Sequence, residues 1–447
     1  MADHFDMTDL TDRAAALVEA ARKAGADACD AVVSASRSTG VQVRDGKLED
    51  TESSENAAFS LRVFVGDRTA SISANRPDDV TALAERAVAM ARVSPEDKFA
   101  GLAPKDRLTS KIRDLDLFDA TEPSLDTMRE AALACEQAAL DVAGVTKSSG
   151  ASSGYGLGGT VLVTSDGFAG AFRSSRHSLS VSAVAGDGTD MQRDYDYDSH
   201  HHASDLRSPE AIGRLAGERT VEKMNPRQVD SQAVPIILAP RIARGFVGHI
   251  SGALNGALIA RGTSYLKDAM GERILPKGFR VSDDPFIVRG QASRPFDGEG
   301  VEGEPYDLVT DGIVQRWVLD SATARELKLE TNGRAARSGS GTSPSSTNLR
   351  LQPGERSPED MIAACERAFY VTELIGRGAN LVTGDYSRGA SGFWIENGER
   401  TFPVSEVTIA GNLRDMLMGL EAANDLETGF SSESPTLLIE GMTLAGT

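Results

Sequence analysis

Apolar and polar positions alternate with two different periods along the chain. Leu10 to Ala24 is Ala-rich with apolar residues at helical spacing, and Gly25 ends it. Ala31–Ser36, Thr39–Lys47 and Ala57–Val65 read as strands, with Asp45-Gly46 and Gly66-Asp67 as turn signals. Asp78 to Arg92 reads as a second helix, entered through Pro77. This order predicts helices laid on one face of a largely antiparallel sheet. Ser94–Asp119 is polar and reads as a long connection. Pro123–Val142 predicts a helix capped by Ser124, with Met128, Ala132, Cys135 and Ala139 as its apolar stripe. Ser and Gly dominate Val145–Ala185, where strand-like pieces at Thr160–Thr164, Gly170–Phe172 and Leu179–Ala185 predict an antiparallel meander. Ser208–Met224 is a further predicted helix, with Pro209 in its first turn.

The texture changes after Asp230. Val234–Leu238 reads as a short buried strand, and Pro240 sits where a helix can start. On that helix Ile242, Phe246 and Val247 share a side, with His249 just past them. Phe286–Val288, Tyr306–Thr310 and Ile313–Leu319 read as strands, the last two joined by the hairpin signal Asp311-Gly312. Thr331–Thr347 has no apolar periodicity and is expected to be a mobile loop. Pro358–Phe369 predicts a short helix, and alternating strands fill the remainder. The fold class expected is α+β. Residues 1–230 form an α/β domain with helices on a mostly antiparallel sheet and a Ser/Gly-rich meander. Residues 231–447 form a β-rich, barrel- or sandwich-like domain.

Composition narrows the function. Hydrophobic residues make up 40% of the 447, enough for packed cores. Lys and Arg number 47 against 66 Asp and Glu, a net charge of −19 that disfavours a nucleic-acid partner. Cys29, Cys135 and Cys365 lie far apart and are expected to be buried free thiols, as suits a reducing compartment. The start, MADHFDMTDL, is acidic and unlike a signal peptide. No apolar run approaches the roughly 20 residues a membrane span needs. The expected location is the cytoplasm.

Two glycine motifs carry little. Gly150-Ala151-Ser152-Ser153-Gly154 fits the nucleophile-elbow pattern, but a helix should follow the Ser and a strand does. Gly154-Tyr155-Gly156-Leu157-Gly158-Gly159 fits a dinucleotide fingerprint, but the strand Thr160–Thr164 stands where a helix N-terminus is required. A flexible hairpin connection is the better expectation there. His200, His201 and His202 are adjacent and cannot all face one metal ion, so an exposed loop is expected.

A longer pattern is distinctive. Gly384-Asp385-Tyr386-Ser387-Arg388-Gly389-Ala390-Ser391-Gly392-Phe393-Trp394-Ile395-Glu396-Asn397-Gly398 is followed by Pro403-Val404-Ser405-Glu406 and Ile409-Ala410-Gly411-Asn412-Leu413. With Arg244–His249, Pro295–Gly300 and Arg176–Leu179, these segments resemble the PmbA/TldE family over essentially the whole chain. That resemblance implies one subunit of a TldD–TldE peptidase, a cytosolic zinc protease acting on unfolded or flexible peptides. The family's other name, modulator of DNA gyrase, does not imply DNA contact.

In the TldD-type subunit the resemblance implies a zinc-binding H-E-x-x-x-H motif and a Cys ligand near the C-terminus. In this chain Arg244 stands at the first His, Gly245 at the Glu, and only His249 matches; no Cys follows Cys365. One imidazole without a general base is not a catalytic zinc site. The degenerate motif implies no metal and no catalytic residue in this subunit, with zinc carried by a TldD-type partner. A bend at Gly248 is expected, because residues five apart on a regular helix point about 140° apart. Asp385, Tyr386, Ser387, Arg388 and Ser391, with the Thr331–Thr347 loop, are candidates to line a peptide cavity. A homodimer is an alternative assembly when the partner is missing. The competing functions are a self-sufficient hydrolase using other residues and a non-enzymatic regulator.

Overall fold

The computed structural model describes residues 6–75, 79–338 and 341–447. Residues 1–5 of the acidic start, Pro77 and Asp78 of the second predicted helix, and Gly339 and Ser340 of the Thr331–Thr347 segment lie outside the described residues.

The first half runs α1 (Met7–Lys23), β1 (Ala28–Arg44), β2 (Lys47–Val65), β3 (Arg68–Ala74), α2 (Val80–Val93), α3 (Leu125–Leu140), β4 (Val145–Thr164), β5 (Ala169–Ala185), β6 (Gln192–His200) and α4 (Pro209–Glu222). Its strands form one sheet in the order β3-β2-β1-β4-β5-β6, each neighbouring pair antiparallel. Alternate side chains such as Val33, Val41, Leu61, Val161, Leu179 and Val181 are buried in the cores formed with α1 to α4. All four helices therefore share one face, as the element order predicted. Ser124 and Ser208 cap α3 and α4 by accepting the N–H of Thr127 and Ala211.

Strand lengths differ from expectation. The two strands predicted over Ala31–Lys47 are one, because β1 is paired throughout by β2 and β4. Asp45 and Gly46 take positive φ, 53° and 70°, and make the tight hairpin to β2. The Ser/Gly pieces likewise fuse into β4 and β5. Gly154 to Gly159 lie in mid-strand, so no hairpin connection exists there. Glycine is a poor strand former, but hydrogen-bonded neighbours on both sides override that preference. At the other side β3 pairs with Phe59–Val65 of β2, and residues 47–56 extend beyond that pairing and are exposed.

The second half runs β7 (Gln232–Ala233), β8 (Ile236–Leu238), α5 (Pro240–Ala253), α6 (Gly256–Ala260), β9 (Val281–Asp284), β10 (Tyr306–Thr310), β11 (Ile313–Val314), α7 (Ser321–Leu327), β12 (Ala335–Ser338), β13 (Gly341–Pro344), β14 (Asn348–Leu351), α8 (Pro358–Ala363), β15 (Arg367–Ile375), β16 (Asp385–Glu396), β17 (Glu399–Asn412), α9 (Leu413–Met418), β18 (Leu420–Ala422), β19 (Ser432–Glu433), β20 (Leu437–Ile439) and β21 (Thr443–Ala445). An eight-stranded sheet, β18-β20-β8-β15-β16-β17-β21-β7, and a five-stranded sheet, β11-β10-β9-β14-β19, contribute to one large core around α5. The fold is α+β with a β-rich second half, as expected.

Four local expectations fail. Thr331–Thr347 contains the hairpin β12–β13, and its base is pinned by polar contacts that leave no trace in apolar periodicity. Arg334 is fully buried on Asp283 at 2.6 Å, the Ala335 N–H donates to Asp297, and Arg337 meets Asp30 at 2.7 Å. The helix from Pro358 stops at Ala363, since Arg367 to Phe369 pair with β16 and Phe369 also pairs with β8. Phe286–Val288 is a turn, and the strand at Ile313 ends at Val314. No helix among the described residues is long and apolar enough to cross a membrane.

Candidate functional site

Helix α5 begins with Pro240 in its first turn and runs unbroken through Gly248. Gly248 is not among the positive-φ glycines, and the helix carries no break at the position of the expected bend. Residues 244 and 249 therefore point in directions about 140° apart. Arg244 turns to Glu427, with which it pairs, and its guanidinium carbon lies 3.2 Å from the centre of the Phe430 ring. Its backbone carbonyl accepts from Ser432 Oγ at 3.0 Å. Burial pushes the guanidinium pKa down, and Glu427 offsets this only in part. His249 packs edge-on against Phe246 and Tyr386, with ring centres 6.5 and 6.1 Å away. Burial and then the Arg388 charge push its pKa down, so the imidazole is neutral near pH 7.

Arg244, Gly245 and Gly248 open onto a cavity of about 850 Å³ between the two halves of the chain. Its other walls come from β6, from α4 and from residues 427–432. Along β6 the carboxylates Asp194, Asp196 and Asp198 are buried, while Tyr195 and Tyr197 alternate with them, 52% and 44% exposed. Asp194 takes both terminal nitrogens of Arg241 at 2.8 Å and Lys223 at 2.8 Å. Burial pushes this carboxyl up, but the hydrogen bonds and charge of Arg241, then Lys223, outweigh it and hold the pKa at about 2. Asp196 meets Arg207 and Arg219 at 2.8 and 3.0 Å.

The sequence candidates divide between two places. Arg244 and Gly245 face this cavity, whereas His249 meets Tyr386 and Arg388 of β16. Tyr386 is core, Asp385 and Ser387 are exposed, and Arg388 and Ser391 are half-buried; none of the five lines the 850 Å³ cavity. Gly392, in the same segment, is required by packing, since a Cβ would collide with the Tyr370 carbonyl. The His triplet is not an exposed loop. His201 is buried between the carbonyls of Ser175 and Gly290, at 2.7 and 3.2 Å, while His200 turns to Asp198 and His202 to Asp116. Cys29 and Cys135 are buried, with thiols pushed up to about 12 by burial, but Cys365 is only half-buried. Among the described residues no three His, Cys, Asp or Glu side chains converge at metal-ligand spacing.

The β6 wall and residues 427–432 were missed in the sequence. The alternation Asp194-Tyr195-Asp196-Tyr197-Asp198 carried a usable signal, since period two marks a strand with one charged face. The triple histidine beside it, taken alone, suggests a loop.

Three consecutive family descriptions fit the chain: PmbA/TldA metallopeptidase domain 1 over residues 29–91, the central domain over 118–224, and the C-terminal domain over 231–446. Metalloprotease PmbA of Escherichia coli O157:H7 is 37% identical over 93% of this chain and 92% of its own length. The chain belongs to the PmbA/TldD family. A PmbA homologue of Haemophilus influenzae is 34% identical over 96% of this chain and 94% of its own. Among solved structures, a Bacteroides thetaiotaomicron protein described as a modulator of DNA gyrase superimposes with a TM-score of 0.89 at 27% identity, covering 99% of this chain and 100% of that one. TldE from Thermococcus kodakarensis shares the PmbA/TldD fold with a TM-score of 0.82 at 22% identity, covering 96% and 99%.

Proposed function

We propose that this chain is the TldE/PmbA-type subunit of a TldD–TldE zinc metallopeptidase acting on unfolded or flexible peptides in the cytoplasm, and that it carries no catalytic metal itself. Helix α5 carries the reading. A peptidase zinc needs about three protein ligands and a neighbouring proton acceptor. On α5 the one imidazole is wedged between Phe246 and Tyr386 beside a cation, and the residue five before it is Arg244, already paired with Glu427. These residues do not fit zinc. The chain's part is then to complete the cavity in which the partner cuts. Exposed Asp385 and Ser387, with Ser391, would face the peptide, while Tyr386 and Arg388 on the other side of the strand turn to His249.

The deciding experiment is hydrolysis of an unfolded peptide in zinc, by this chain alone and with a TldD-type subunit added. Activity only in the mixture, lost with a chelator, is expected. The E. coli relative is itself named a metalloprotease. Turnover by this chain alone is therefore the outcome that would overturn the proposal. Sedimentation of the two samples reads whether a homodimer gives way to a heterodimer.

A further inference from the structure

The 850 Å³ cavity is built of the side chains that dominate recognition sites: Tyr195, Tyr197 and Phe430 interleaved with arginines. Most of its arginines are already committed. Arg241 is held by Asp194, Arg219 by Asp196, and Arg207 by Asp196, Asp198 and the Tyr197 carbonyl. Two differ. Arg176 is exposed and meets no carboxylate among the described residues; its Nη1 reaches Ser199 Oγ at 3.0 Å and Gln291 Oε1 at 2.7 Å. Arg244 is 88% covered, and its Nε is sealed from solvent without a hydrogen-bond acceptor. The one carboxylate paired with it among the described residues is Glu427, itself half in water.

We propose that this cavity binds the carboxylate of an extended peptide, with Arg244 as the anchor and Glu427 as a built-in competitor that the ligand displaces. The inference rests on the unfolded-peptide reading above and goes beyond it, since none of the β16 candidates lines this cavity. A planar guanidinium stacked on Phe430 offers a carboxylate paired, parallel donors. Four carboxylates, Asp196, Asp198, Asp205 and Glu427, also line the cavity, so a doubly charged phosphate meets more repulsion than a single carboxylate. Tyr195 and Tyr197, stacked with ring centres 6.3 Å apart, supply aromatic surface for the residue that carries the acid group. The strand edge beside them does not offer a backbone ladder. The Tyr197, Ser199 and Arg193 carbonyls of β6 already accept from Arg207, Gln291 and Lys223. The peptide is thus held by its acid group rather than by strand addition.

The carboxylate can be the C-terminus or an acidic side chain, and the test separates them. A fluorescent flexible decapeptide with one internal Glu is titrated into the full chain by anisotropy, as the free acid, as the C-terminal amide, and with Glu replaced by Gln. One of the two neutralised peptides should bind about tenfold or more weaker, which names the source. In Arg244→Gln that discrimination should disappear. In Glu427→Gln, where the competitor is gone, the free acid should bind tighter. N-acetylphenylalanine and its amide serve as minimal probes by thermal shift, with only the acid stabilising wild type. Circular dichroism confirms that each variant is folded, and Arg244→Lys, retaining charge without the planar fork, should restore part of the affinity. Equal binding of all three peptides overturns the proposal, as does weaker acid binding in Glu427→Gln. Lack of binding by both the free-acid peptide and the small acid does the same. Hydrolysis in the mixed-subunit assay is a separate readout: discrimination without hydrolysis would refute the peptidase reading and leave the carboxylate site standing.

Discussion

Asp297 shows what one buried acid does to the molecule's pH response. It sits in the Pro295–Gly300 segment, fully enclosed, and accepts the N–H groups of Glu299, Val301 and Ala335. Burial, then the neighbouring Glu299 charge, raises its pKa to about 6 despite those bonds. The folded chain therefore takes up a proton between about pH 6 and 3.8 that the unfolded chain does not. This carboxyl adds stability as pH falls through 6. Urea unfolding of wild type and Asp297→Asn at pH 7 and pH 5 should show a gain on acidification that the variant lacks; an unchanged slope would refute it. The segment was legible as a family motif, but its burial was not, because Ala335, which donates to Asp297, and Arg62, which pairs with Glu299, lie 38 and 237 positions away.

At the scale of elements, glycine placement decides how closely neighbours approach. On α4, Gly213 and Gly217 face α3, where a Cβ would collide with the carbonyl oxygen of Cys135 or run tight against that of Ala139. Gly213→Ala should force the two helices apart and cost about 2 kcal/mol or more, an overpacking penalty measurable by thermal melting. A melting point within a degree of wild type would show that the helix pair can adjust. Helices α3 and α4 read well from sequence because each carries its own start signal, Ser124 and Ser208, whereas the short α6, α7 and α9 do not stand out in it. Strand extents read poorly because β1, β4 and β5 owe their length to partners, not to their own residues. The Thr331–Thr347 hairpin was invisible for a related reason: ion pairs such as Arg334–Asp283 hold it, not an apolar stripe.

Across the whole molecule, buried charges tie the two halves together. Asp194 on β6 holds Arg241 on α5, Lys223 reaches Glu373 on β15 at 2.7 Å, and Arg62 on β2 joins Asp30 to Glu299. Both tryptophans, Trp317 and Trp394, belong to the second half, whereas α1 to α4 belong to the first. Tryptophan fluorescence thus reports the second half, whereas far-ultraviolet circular dichroism reports the helices of both. In wild type the two urea transitions should coincide. Asp194→Ala removes the carboxylate partner of Arg241 and leaves Lys223 with Glu373 alone, should destabilise by about 3 kcal/mol, and should pull the transitions apart. Coincident curves in the variant would mean that apolar packing alone couples the halves. Since the Asp194 pKa is depressed, its contribution is complete above pH 3.8 and fades as pH falls towards 2.

The projecting end of β2 has a consequence of its own. Over residues 47–54 the strand is paired by β1 and by no other strand among the described residues, so the backbone groups on its outer edge are open to another chain. Such an edge is a template for chain-to-chain stacking. Glu49, Asp50 and Glu52 stand on it in a protein that already carries −19 charges, and like charges keep two copies from zipping together near neutral pH. Acidification towards the isoelectric point of about 4.8 removes that repulsion just where the backbone is most receptive. Precipitation of folded protein in mild acid, worsened by Glu49→Gln with Glu52→Gln, is the behaviour to look for when the protein is handled and stored.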